Sequence, residues 1–553
     1  MLTILLNWFY IGMTAFCLGS GFSCLTDKWF GYRLKRLDSV LMSGLIIATV
    51  YAQIFSLFAG VGLWANVILL AGCGVIVLLC RSSMREFVAA GWKTWSRGRK
   101  ILFLVLVLVW AYYTSRGFIH YDTDLYHAQS IRWIEEYGVV PGLANLHVRF
   151  AYNSSSFALS ALYSMKFLLG QSLHTVSGFF ALLLSVTVMD ITKSWKRRRF
   201  VWSDYARAAA IYYLTTIVEE ILSPASDYVI MCMIFFIVIK WLDCLGAKEK
   251  NIAPYGLLCV AGVYAMTLKL TAGLILLLLI KPAIDLLKQK KWKDIAIYIV
   301  MGLMVAVPWF ARTVIMSGWL IYPFPSIDLF EVDWKVPKWL AEVDAADIYS
   351  YGKAIYDETL LGMPVTQWLP NWFRTTLSGM EKLLILGCMG SVVIYLAGLL
   401  WMLIKRKWER LDDALVMGTV VCCYVFWQMS APLIRYGYAY VLLLIFLTGG
   451  WLVISIGFEK MVYYILICYG IYKACAMVPY AKHVFFMEHY IRQQEYGLYE
   501  MESYEVNGMT FYYSIEGDQT GYEYFPATPG KVDFEFRGDT VEEGFRLKEQ
   551  AEN

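Results

Sequence analysis

Charge is scarce in this 553-residue chain: Asp, Glu, Lys and Arg make up 17% of it, against about 25% in soluble domains. A soluble chain of this length would split into several domains, each needing a charged surface. The net charge is only +4, which gives no basis for a nucleic-acid partner. The twelve cysteines include no CxxC pair, and the long polar segments contain none. That argues against a disulfide framework or a zinc knuckle; the cysteines read as small apolar packing residues. The opening MLTILLNWFYIGMTAFCLGSGFSCL lacks a basic leader and a small-residue cleavage site. It reads as a retained helix rather than a cleaved signal peptide. There is no internal repeat and no low-complexity tract.

What the chain does have is apolar sequence, 59% of its residues. A membrane-spanning helix needs about 20 mostly apolar residues. Such runs fall near 3–23, 40–59, 62–80, 101–115, 174–192, 206–222, 228–243 and 253–268. Others fall near 271–287, 295–312, 381–404, 413–430, 437–457 and 461–477. The expected fold class is therefore an all-α polytopic membrane protein with about 12–14 transmembrane helices.

Lys and Arg concentrate in cytoplasmic loops. The basic clusters lie at 26–39, 81–100, 193–199, 288–293 and 405–410. Alternating the helices places all of them on one side. The opposite side receives two long polar loops, 116–173 and 313–380, and the tail after 478. This requires FALSALYSMKFLLG (157–170) to lie at the interface as an amphipathic helix instead of crossing. In the tail, Asn507-Gly508 between two alternating runs predicts a type I′ hairpin, hence a small β-containing appendage.

The first long loop opens HYDTDLYH. Asp122 and Asp124 follow a spanning helix directly, with His120 and His127 beside them. A carboxylate at a membrane–water boundary can take a proton from a hydroxyl. Two carboxylates two residues apart can instead ligate a divalent cation, and the bland reading is that both are simply solvated. Glu135 and Glu136 read as the polar face of a short helix. Lys269 in LKLTAG, Arg312 in PWFAR and Arg435 in SAPLIRYGY stand at helix ends on the same outer side. Charges at membrane depth cost about 2.5–3.5 kcal/mol and usually have a partner, although snorkelling at a helix end relieves that. Cations there can hold a phosphate and stabilise it as it leaves. Asp227 in SPASD lies at an outer helix end as well, placed to pair with those cations or border the same cavity. Trp334, Trp339, Trp368 and Trp372 populate the second long loop, where they anchor it or stack on sugar.

Taken together, the YDTDLYH loop, SPASD, the LKLTAG turn and the segment Pro308–Phe324 resemble the GT-C superfamily of integral membrane glycosyltransferases. Protein mannosyltransferases and the aminoarabinose transferase of lipid A belong to it in that sense. The chain also looks similar to bacterial multi-pass membrane proteins with a YDTDLYH…IRWIEEYGVVPGL loop. The resemblance covers about residues 101–450. It implies a catalytic core at 101–320; the apolar runs and polar loops set around it N-terminal helices at 1–100, a second outer loop at 321–380, helices at 381–477 and a small extracytoplasmic tail at 478–553. It also implies an inverting transferase in a bacterial cytoplasmic membrane, with its active site on the extracytoplasmic side. The donor would be a polyprenyl-phosphate sugar and the acceptor an envelope glycan, lipid or protein. Asp122 matches the loop aspartate used as general base, and Asp124 the second acid of that motif. Lys269, Arg312 and Arg435 match only by position as phosphate ligands. No cofactor is required by this reading, and a divalent metal is left open. The helices before residue 101 depart from the family pattern.

Three other readings stand beside it. An O-antigen polymerase or ligase would rely on late arginines instead of the acidic pair. A transporter would show repeated halves and broken mid-membrane helices. A catalytically inert scaffold in envelope polysaccharide assembly would need neither.

Overall fold

In a computed structural model of the chain, residues 1–197, 199–355, 362–484 and 489–548 are described. Eleven helices among them are long and apolar enough to cross a membrane. Each coincides with an apolar run of the sequence. Three further runs also form helices: Trp202–Thr216, Ala253–Leu268 and Glu459–Val484. The first two are shorter than a typical span, and so are absent from the eleven.

The helices alternate in direction, so their connections gather at two ends. At one end the basic loops meet: Arg36 and Arg99 both pair with Asp190, and Lys281 pairs with Asp412. At the other end the polar loops meet: Phe118 N–H donates to Glu219 C=O, Val139 N–H to Ser56 C=O, and Trp372 Nε1 to Pro432 C=O. The first helices are no separate module, because Ile4, Trp8, Met42 and Leu45 share one apolar core with Phe180 and Ile234. Helices Leu2–Phe30 and Leu37–Ser56 cross with their backbones in contact. A Cβ on Gly44 would sit 1.8 Å from the Ala15 carbonyl oxygen, and one on Gly19 1.9 Å from that of Val40. Small residues at the crossing are what permit this approach.

The segment 157–170 differs from the expected amphipathic helix. Ser155–Tyr163 is helical and buried throughout. Met165, at φ 55°, breaks it, and only the short turn Lys166–Leu169 turns outward, with Leu168 exposed. The run FALSALY is thus core sequence, and its lack of charged residues follows from being covered on every side.

The tail forms the expected hairpin. Strand β1 (Met501–Val506) pairs antiparallel with β2 (Met509–Ser514) in the register Val506↔Met509. Asn507 and Gly508 both take positive φ, as a type I′ turn requires. A short β3 (Ala527–Thr528) adds parallel to β2, and β4 (Phe534–Phe536) pairs with β5 (Phe545–Leu547). The tail is part of the loop layer and not an appendage. Phe511, Phe534 and Phe545 pack with Trp133, Leu143 and Phe150 of the first loop, and Arg537 pairs with Asp333 of the second.

Candidate functional site

Four of the recognisable segments converge at the polar-loop end. YDTDLYH delivers Asp122, SPASD delivers Asp227, LKLTAG delivers Lys269, and SAPLIRYGY delivers Arg435. Arg435 Nη2 donates to Asp122 Oδ2 at 2.5 Å, and its Nε lies 3.7 Å from Asp227 Oδ2. Lys269 Nζ donates to Asp227 Oδ1 at 2.6 Å. The ammonium also sits 3.0 Å from the centre of the Tyr436 ring, a cation–π contact. The His120 ring packs against Arg435 Nη1.

Local backbone sets this up. Residues Thr123–His127 form a π-helical turn immediately after Asp122. Lys269 ends one helix in an extended conformation and is followed by ten residues of 3₁₀ helix, Leu270–Leu279. Both are uncommon forms that recur at functional sites. The turns are tied together: His120 N–H donates to Ser223 Oγ at 2.7 Å, and Ser154 Oγ to Leu268 C=O at 2.8 Å.

The cluster stays partly open, with side-chain exposures of 17% for Asp122, 28% for Arg435 and 22% for Lys269. Burial pushes the Asp122 carboxyl up, but the neighbouring positive charge, Arg435 first, outweighs it and holds it below its ordinary value. Asp122 is therefore ionised. Burial, then the Arg435 charge, keeps His120 below its usual range despite Asp122, so its imidazole is neutral near pH 7.

The other expected site residues lie elsewhere. Asp124 turns to the tail: its carboxylate accepts from Tyr499 Oη at 2.8 Å and Gly497 N–H at 3.3 Å. Its carbonyl takes the N–H groups of Thr520 and Gly521. Burial raises the Asp124 carboxyl, partly offset by those bonds. His127 is buried against Tyr126 and Phe157, and burial lowers it to about 3. It is a neutral wall behind Asp122. Arg312 is 1% exposed and bonds to Asn153 Oδ1 at 3.0 Å and to Ser56 Oγ. It has no carboxylate among the described residues and is not part of the Asp122 cluster. Glu135 is no solvated face: it is buried and accepts from Tyr522 Oη and, at 2.7 Å, from Ser172 Oγ.

A family model described as "Domain of unknown function (DUF8201)" matches residues 1–442. The chain belongs to the DUF8201 family. No curated protein and no solved structure matches it. The DUF8201 match contains every member of the Asp122 cluster. It ends before Gly497 and Tyr499, which hold Asp124.

One further cation faces the cluster of this DUF8201 chain. The Arg149 side chain makes no ion pair or hydrogen bond among the described residues, yet its charge faces Tyr152, Tyr126, Asp122 and Asp344. Nothing in its neighbourhood HVRFAY marks it, because apart from Tyr152 the residues it faces come from other segments of the chain. The second loop packs beside this region, where Tyr152 Oη donates to Asp344 Oδ1 at 2.7 Å and Trp372 Nε1 to the Pro432 carbonyl. Trp368 and Trp372 are buried, and Trp372 meets Trp427 edge-on at 6.3 Å. Trp339 is 61% exposed. Among the described residues no three His, Cys, Asp or Glu side chains gather as metal ligands. Asp122 and Asp124 spend their carboxylates on separate partners, Arg435 and Tyr499, and do not converge on one point.

Proposed function

We propose that the chain is a membrane glycosyltransferase that moves a sugar from a polyprenyl-phosphate donor to an acceptor hydroxyl. The site would work at the polar-loop face, the outer face of a bacterial cytoplasmic membrane. The observation that carries this reading is a partly exposed, ionised carboxylate, Asp122, held against Arg435 at a helix end, with Lys269 joined to the same arginine through Asp227. Group transfer from a lipid phosphate needs a base on one side of the sugar and positive charge on the other.

In the resting cluster the base and the cation touch. The donor's phosphate is a replacement anion for Arg435, so its arrival draws the guanidinium off Asp122. Asp227 keeps Lys269 and Arg435 in place meanwhile. With the sugar between them, Asp122 takes the acceptor proton as the hydroxyl oxygen attacks the anomeric carbon. The bond from that carbon to the phosphate oxygen breaks, and the phosphate keeps the electron pair beside Arg435, Lys269 and the unpaired Arg149.

The central place of Arg435, which touches Asp122, Asp227, His120 and Tyr436, also favours a second reading. In an arginine-centred polymerase or ligase Asp122 would be only a counter-ion. The deciding experiment gives membranes bearing the native chain or Asp122→Asn a panel of polyprenyl-phosphate sugars and measures released polyprenyl phosphate. Release lost with Asp122→Asn fits the base. Release that survives Asp122→Asn but not Arg435→Lys moves the assignment to the second reading.

A further inference from the structure

A cavity of about 1090 Å³ lies at the opposite end of the bundle, where the basic loops meet. Its floor is ionic and self-satisfied. Lys240 Nζ binds Asp38 at 2.5 Å, Arg36 binds Asp38 at 3.0 Å, and Arg207 binds Asp204 at 2.8 Å and Asp243 at 2.5 Å. The mouth is different. Arg197 and Arg199 line it, are exposed, and make no ion pair among the described residues. Arg36, Lys193, Arg207 and Lys240 of the lining pair with Asp38, Asp190, Asp204 and Asp243; against Arg197 and Arg199 there remains the single carboxylate of Glu249, so the surplus at this end is one positive charge.

The rest of the wall is apolar. Along helix Leu37–Ser56 the lining runs from Ser39 to Val50, roughly 16 Å at 1.5 Å per residue. That is about half the ~30 Å thickness of a hydrocarbon core. Ile46, Leu258, Met301 and Met304 continue the slot, and Met304 is 59% exposed on the apolar flank of the bundle. The slot therefore opens sideways to hydrocarbon while its head end is cationic. A soluble anion would leave the slot unfilled. A zwitterionic lipid would bring its own cation to the two free arginines.

We propose that this cavity binds one anionic phospholipid, its phosphate at Arg197 and Arg199 and an acyl chain in the slot between Ser39 and Met304. Cationic pockets between spanning helices suit such headgroups. The site is remote from Asp122, and the proposal does not depend on the transfer reaction.

The test uses the full chain in detergent micelles holding equal amounts of phosphatidylglycerol and phosphatidylcholine, with retained lipid counted by native mass spectrometry. The native chain should keep one phosphatidylglycerol in preference to phosphatidylcholine. Arg197→Glu with Arg199→Glu should cut that retention about tenfold or more, each basic residue near a membrane surface being worth about 1 kcal/mol. Both residues are exposed, and unchanged elution and melting confirm the fold. Ile46→Trp should lower retention by filling the slot and leave the headgroup arginines intact. Equal retention of the two lipids would overturn the proposal. So would retention unaffected by the double substitution, or displacement of the bound lipid by millimolar inorganic phosphate alone.

Discussion

Arg435 and Asp122 lie 313 residues apart in the chain and 2.5 Å apart in space. The pair closes a circuit in which each end of the cluster is neutralised by a different turn. Removing one partner of a partly buried pair leaves the other uncompensated, commonly at about 3–5 kcal/mol when burial is complete; here solvent lowers that cost. Substitutions at this pair therefore report on function only when folding is monitored beside activity.

The two aspartates of YDTDLYH should separate experimentally. Asp122→Asn, nearly isosteric, should lower release of polyprenyl phosphate by about 10²–10⁴-fold, the usual worth of a general base, far more than the lowered melting that follows from leaving Arg435 without its partner can account for. Asp124→Asn should keep most of the release and loosen the tail, seen as faster hydrogen exchange over 497–521. Equal losses of release from both variants would make the acidic pair one functional unit.

The pH dependence follows from opposite shifts in the two carboxyls. The folded Asp122 carboxyl titrates below its ordinary value. It contributes stability present above the unfolded value and lost only as pH falls through the folded one. Arg435→Gln removes the largest lowering influence and leaves burial, so the acid limb of the activity profile should move upward. Asp124 and Glu135, at the tail interface, are raised by burial. Their contribution is greatest below the unfolded values and is lost as pH rises through the folded ones. Exchange protection of the tail should then increase on mild acidification; a decrease would contradict the buried bonding of Asp124 to Tyr499 and Glu135 to Tyr522.

Much of this architecture is legible from sequence because the membrane imposes it. Length, apolarity and the placement of Lys and Arg mark the helices, and Asn507-Gly508 marks the hairpin by its backbone demand. Lys269, Arg435, Asp122 and Asp227 are visible because each is a charge where charge is costly. Legibility fails where partners come from far along the chain. Asp124 beside Asp122 looks like its equivalent, and only Gly497 and Tyr499, more than 370 residues on, make it a tether. The run 157–170 reads as interfacial because nothing local shows that its first half, through Tyr163, is buried in protein. Arg149 escapes notice because, Tyr152 apart, its surroundings come from the Asp122–Tyr126 turn and from Asp344 of the second loop.

The crossing of the first two helices should tolerate no side chain larger than hydrogen. A Cβ on Gly44 meets the Ala15 backbone at 1.8 Å, and backbone, unlike a flexible side-chain end, cannot yield locally. Gly44→Val should destabilise by more than the about 1–3 kcal/mol of ordinary overpacking, read as a lowered melting temperature or lost expression. Gly72→Ala, with nothing within 4 Å, is the matched control and should be silent.

Arg312 tests whether position along the chain is enough to assign a phosphate ligand. It stands at the end of helix Trp292–Ser317, where a snorkelling or phosphate-binding arginine belongs, but its guanidinium is enclosed and spent on Asn153 and Ser56. Asn153 in turn donates to the Trp309 carbonyl at 2.8 Å and to Thr313 at 3.0 Å. The arginine thus locks the first polar loop onto that helix. Arg312→Met should leave Asn153 Oδ1 without its donor, a cost of about 1–3 kcal/mol, and lower the melting temperature. The KM for the polyprenyl-phosphate donor should stay the same, whereas Lys269→Met should raise it. A KM raised by Arg312→Met with melting unchanged would instead mean that the donor reaches Arg312 by displacing Asn153. The phosphate would then lie deeper in the bundle than the Asp122 cluster.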